Sequence, residues 1–104
     1  MKRYGKVIKV KPEKLAYYKK LHANPYPEVT AAITECNIRN YSIFYRDGYL
    51  FSYYEYIGDD HQRDMEKLSG MTRVWLAETD PCQEPVASAA ADEWWADMEE
   101  VFHQ

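Results

Sequence analysis

At 104 residues the chain has the size of one small domain, and it is read as a single domain over residues 1–104. Its 46% hydrophobic and 29% charged residues suit a folded protein and exclude a disordered one. The net charge of −4 argues against a nucleic-acid partner. Lys2, Arg3, Lys6, Lys9, Lys11, Lys14, Lys19, Lys20, Arg39 and Arg46 do gather in the N-terminal half, but acids dilute them.

No apolar run is long enough to cross a bilayer or to serve as a signal peptide, so no membrane partner is expected and the location is read as cytoplasmic. Cys36 and Cys82 are then free thiols of a reducing compartment.

Residues 3–10 alternate as a strand, stopped by Lys11-Pro12. Pro12 suits the first position of a helix and Glu13 its positive end. Leu15, Tyr18 and His22 follow at spacings of three and four, which puts them on one helical face. Asn24-Pro25-Tyr26-Pro27 breaks that helix. A second helix runs from Pro27 to about Cys36. Ile38–Arg46 is read as a strand of strict alternation, with Ile38, Asn40, Ser42 and Phe44 on one face and Arg39, Tyr41, Ile43 and Tyr45 on the other.

Asp47-Gly48 is a two-residue hairpin turn, since both residues tolerate positive φ, and Tyr49–Ile57 returns as the partner strand. Gly58-Asp59-Asp60 turns and caps a helix over 60–69, with Met65 and Leu68 inward. Gly70 is expected to interrupt it, and Met71–Glu78 to form a short helix carrying Val74 and Trp75. Residues 80–92 are read as an ordered loop and 97–103 as a final strand. The order is that of an α+β, ferredoxin-like fold: a four-stranded antiparallel sheet with helices on one face.

The usual chemical signatures are missing. The four glycines are scattered and form no phosphate-binding loop. His22, His61 and His103 lack metal-ligand spacing, so no metal site is expected. No Ser or Cys stands in a nucleophile motif. What remains is aromatic, with ten tyrosines beside three Trp and three Phe. Most serve core and interface, but rings with polar tips also suit a pocket for a hydroxylated ligand. His22 sits at a helix end, where the dipole favours its charged form. Tyr18, Tyr41 and Trp75, taken singly, are most simply core.

Four segments in register carry a resemblance. Tyr18–Val29 reads YKKLHANPYPEV, with a His followed by Asn-Pro, an aromatic and Pro-Glu. Asn40-Tyr41-Ser42-Ile43-Phe44, then Leu50-Phe51 with Tyr54-Glu55, and Glu99-Glu100-Val101-Phe102-His103 follow in order. Together they resemble the L-rhamnose mutarotase family over almost the whole chain.

The resemblance implies a dimer of ferredoxin-like subunits, of the dimeric α/β barrel type. It implies an isomerase that interconverts the α and β anomers of a 6-deoxy-hexose pyranose without a cofactor. It places the general acid on His22 and sugar contacts on Tyr18, Tyr41 and Trp75. The family's Trp-Trp pair reads Val74-Trp75 here, which suggests a reshaped pocket wall and leaves L-rhamnose, L-fucose and their relatives open as the sugar. Two other readings fit the same fold and aromatic content: a cofactor-free monooxygenase or haem-related enzyme, and a non-catalytic sugar-binding module.

Overall fold

The computed structural model describes residues 1–104. Strand β1 (Lys2–Val10) leads through a 3-10 turn (Pro12–Lys14) into helix α1 (Leu15–Ala23) and then helix α2 (Pro27–Glu35). Strands β2 (Ile38–Arg46) and β3 (Tyr49–Tyr56) form a hairpin. Helices α3 (His61–Met71) and α4 (Arg73–Thr79) follow, then a 3-10 turn (Asp80–Cys82) and two short strands, β4 (Gln83–Glu84) and β5 (Ala96–Met98).

The sheet order is β2-β3-β1-β4, with β5 also on β1 and every pairing antiparallel. This is the ferredoxin-like arrangement expected. The fourth strand position is split. β4 pairs with Lys9 and Val10, the chain leaves the sheet, and β5 returns to pair with Gly5–Val7.

Local chemistry explains the joints. Asp47 (φ 51°) and Gly48 (φ 89°) both take the positive φ that a tight hairpin requires. Pro25 and Pro27 end one helix and start the next, because neither ring can donate to a helical ladder. Asp60 caps α3 by accepting from the Arg63 N–H at 3.1 Å.

Ile8, Val10, Leu50, Tyr18 and Cys82 close one core cluster under the helices. Ile38, Tyr54 and Tyr56 form a second, with Met65 and Leu68 packed on it as expected. Both cysteines are buried and unpaired.

Four expectations need correction. Asn40 takes φ 53° and the β2–β3 register shifts between Arg39 and Ser42. This bulge inverts the alternation of β2: Ile38 faces the helices before it, and Tyr41, Ile43 and Tyr45 share that face after it. The C-terminal strand covers Ala96–Met98 and not 97–103. Met98 pairs with Gly5, the backbone pairing stops there, and Arg3 holds Glu100 through a side-chain ion pair at 2.7 Å instead. Gly70 lies inside α3, and the helix breaks at Thr72, whose hydroxyl donates back to the Leu68 carbonyl at 2.7 Å. The loop after α4 is interrupted by β4, which the prolines on either side concealed.

Candidate active site

α1 faces β2 across the helical side of the sheet, and α4 closes one side. Two cavities meet there. The larger, about 690 Å³, runs between α1, α2 and β2. The smaller, about 370 Å³, lies between α1, α4 and the loop that joins β4 to β5. Tyr18, His22, Tyr41, Ile43 and Trp75 line both. The four residues singled out from sequence thus stand at one junction. α1 delivers Tyr18 and His22 from successive turns, the Asn40 bulge turns Tyr41 inward, and α4 supplies Trp75.

His22 is half-buried. Its ring stacks on Tyr18 with centroids 4.2 Å apart, and the Trp75 edge lies 5.0 Å away. Its Nδ1 is 2.8 Å from the Tyr18 carbonyl oxygen. A carbonyl can only accept, so Nδ1 carries the hydrogen and donates. Nε2 is then the free nitrogen of the neutral ring, with no partner in the chain. Burial holds the imidazole below its usual value near 6.5, against the raising effect of the Tyr18 bond. The expected pull of the helix end toward the charged form is therefore outweighed by desolvation, and the ring rests neutral at pH 7.

Tyr18 is only 3% exposed, and burial raises its phenol well above the ordinary range. Tyr41 keeps 38% of its surface exposed, and burial pushes its phenol up to about 12.

Among the residues of the smaller cavity that sequence reasoning missed are Asp80, Gln83, Trp94 and Trp95. Gln83 is 4% exposed. Its Nε2 donates to the Tyr18 hydroxyl at 3.2 Å, and its Oε1 accepts from the Trp94 indole N–H at 2.8 Å. The signal was present as two adjacent tryptophans at the end of a run of small residues.

Val74, by contrast, is 73% exposed and lines neither cavity. Val74 is thus no part of the cavity wall, to which Trp75, Trp94 and Trp95 contribute. No group of three or more His, Cys, Asp or Glu side chains is gathered as a metal site would need.

Comparison with known proteins decides among the enzymes that share this fold. The family model described as L-rhamnose mutarotase matches residues 3–104. The chain belongs to the L-rhamnose mutarotase family. It is accordingly an isomerase acting on carbohydrate. A curated L-rhamnose mutarotase of Oceanobacillus iheyensis is 30% identical over 110 residues, covering 99% of this chain and 98% of that protein. Among solved structures, an L-rhamnose mutarotase from Formosa agariphila superposes with a TM-score of 0.74 at 20% identity, covering 100% and 99% of the two chains. The tetracenomycin F2 cyclase of Streptomyces glaucescens, a polyketide cyclase, superposes at 0.66 with 15% identity, again over 100% and 99%. These likenesses carry the fold alone, and the second makes plain that the fold does not choose the chemistry. Membership in the mutarotase family rests on sequence, and the junction around His22 is where its chemistry is sought.

Proposed function

We propose that this chain interconverts the α and β anomers of a 6-deoxy-hexose pyranose, L-rhamnose or a close relative such as L-fucose, by cofactor-independent acid–base catalysis at His22. The observation that carries the reading is the free Nε2 of a neutral His22 at a cavity junction shared with the Tyr18 hydroxyl.

Mutarotation requires one proton to leave the anomeric hydroxyl and one to reach the ring oxygen. His22, expected as the acid, is neutral with Nε2 unprotonated and so begins as the base: Nε2 takes the anomeric proton, the C1–O5 bond breaks as the C1 carbonyl forms, and the Tyr18 hydroxyl gives its proton to the ring oxygen. Rotation about C1–C2 turns the other face of the aldehyde to the same hydroxyl, and both transfers reverse. No electron moves and no group is exchanged, so the cycle closes without a cofactor.

The raised phenol suits this role, because Tyr18 keeps its proton until a strongly basic oxygen develops beside it. The transient imidazolium and phenolate lie on stacked rings 4.2 Å apart, where each favours the other. The cavity of about 370 Å³ is the better home for the sugar. It offers Trp75 for C–H faces, with Tyr41 and Asp80 for hydroxyls.

A homodimer of the dimeric α/β barrel type completes the proposal. The sheet face away from the helices carries Phe44 (66% exposed), Tyr49, Phe51 and Met98 uncovered, an apolar surface of the kind a second copy would cover. Two buried free thiols support a reducing, cytoplasmic setting.

Saturation-transfer NMR on the anomeric protons of L-rhamnose and L-fucose tests the function. The expected result is accelerated exchange that is lost in His22→Ala. No acceleration with either sugar would overturn the 6-deoxy-hexose reading.

A further inference from the structure

Gln83 and Trp94 stand outside the reaction as derived, yet the buried Gln83 links the Trp94 indole to the Tyr18 hydroxyl. The indole N–H of Trp94 is a donor only. It meets Gln83 Oε1 at 2.8 Å, and this fixes the amide, because the flipped amide would set two donors against each other. Gln83 Nε2 is thereby committed to donating to the Tyr18 oxygen at 3.2 Å. A phenol that accepts on one side must send its own hydrogen elsewhere. The direction of one indole N–H thus dictates, through two bonds, which way the Tyr18 hydroxyl points.

We propose that Gln83, locked by Trp94, is a positioning residue that turns the Tyr18 O–H toward the sugar and holds the phenolate oxygen when that proton has left. The proposal rests on the reading of Tyr18 as the proton donor to the ring oxygen. Atoms balance without further groups: Tyr18 loses and regains one proton per cycle, and Gln83 keeps both of its amide hydrogens throughout. Gln83 reaches this spot because β4 interrupts the loop after α4, and Trp94 because the chain folds back before β5. The split fourth strand is what brings the two together.

The test is a double-mutant cycle read as anomer exchange at saturating L-rhamnose. Gln83→Met keeps the length and removes both amide groups. It is expected to lower kcat by about 10²–10³-fold, the range for losing one donor to a developing oxyanion, with KM within about twofold. In a Tyr18→Phe background the same change should cost less than about twofold more.

Trp94→Phe keeps a ring in place, frees the amide to turn, and should lower kcat by about threefold to tenfold. It carries the test alone if thermal unfolding finds Gln83→Met unstable. Full kcat in folded Gln83→Met or in Trp94→Phe overturns the proposal, as does an equal loss in both backgrounds. Full activity in Tyr18→Phe by itself would remove Tyr18 from the reaction and take the proposal with it. Loss in Tyr18→Phe beside a silent Gln83→Met would overturn the positioning role alone.

Discussion

Two histidines in this molecule begin from the same local arrangement and end in different chemistry. His22 stacks on Tyr18 at 4.2 Å, and His61 stacks on Tyr4 at 4.2 Å. Burial lowers both below the ordinary value, with Lys6 and Lys2 adding to the effect at His61. Each bonds through one ring nitrogen, and they differ in their surroundings, since His61 lines neither cavity. His61 Nε2 is 2.8 Å from the Tyr54 hydroxyl, inside a cluster where Tyr56 donates to Asp64, and Asn37 donates to the same carboxylate at 3.0 Å. His22 spends Nδ1 on a backbone carbonyl and leaves Nε2 facing a cavity. A stacked, neutral histidine is thus no mark of function by itself. The unspent nitrogen beside open volume is.

The comparison can be broken by swapping which histidine is removed. His22→Ala should lower kcat by about 10²–10⁴-fold, or about 3–5 kcal/mol of barrier, with little change in Tm. Anomer exchange and thermal unfolding on one sample check both halves. The structural cluster should fail the other way.

Gly58 lies under that cluster. A Cβ there would sit 2.6 Å from Tyr56 Cζ and 2.8 Å from Asp64 Oδ2, so Gly58→Ala should cost about 1–3 kcal/mol in denaturant unfolding with kcat retained. His61→Ala leaves the buried Tyr54 hydroxyl without its partner. It should cost about 1–2 kcal/mol and change anomer exchange less than about threefold. A large loss of turnover there would merge the two clusters into one functional unit. Val74→Trp restores the family's usual pair on an exposed position. It should move stability by less than about 0.5 kcal/mol and leave the preference between L-rhamnose and L-fucose unchanged.

The same contrast explains what could be read in the sequence. Signals carried by neighbouring residues were legible. Asp47-Gly48 announces its hairpin, Asn24-Pro25 its helix break, and the spacing of Leu15, Tyr18 and His22 their shared face. The sheet order followed from the succession of elements. The Asn40 bulge was not legible, because strict alternation reads equally well on either side of it and only pairing with β3 reveals the extra residue. Gln83 and Trp94 were not legible for a related reason. Gln83 lies in a two-residue strand between prolines, and its partners are 11 and 65 positions away in the chain. His22 stood out by its segment, but its tautomer and its neutral state depend on burial, which spacing does not show.

The most direct test is the pH dependence of kcat/KM for anomer exchange in wild type and His22→Ala. The His22 imidazole is held below its ordinary value, so it is neutral at pH 7 and charges only as pH falls through that lowered value. If the neutral ring is the base that opens the sugar, kcat/KM is flat near pH 7. It then falls on the acid side with a midpoint under 6.5, and the limb is absent in His22→Ala. A rate that climbs as pH drops below 7, or an acid limb that survives in His22→Ala, would contradict the assignment.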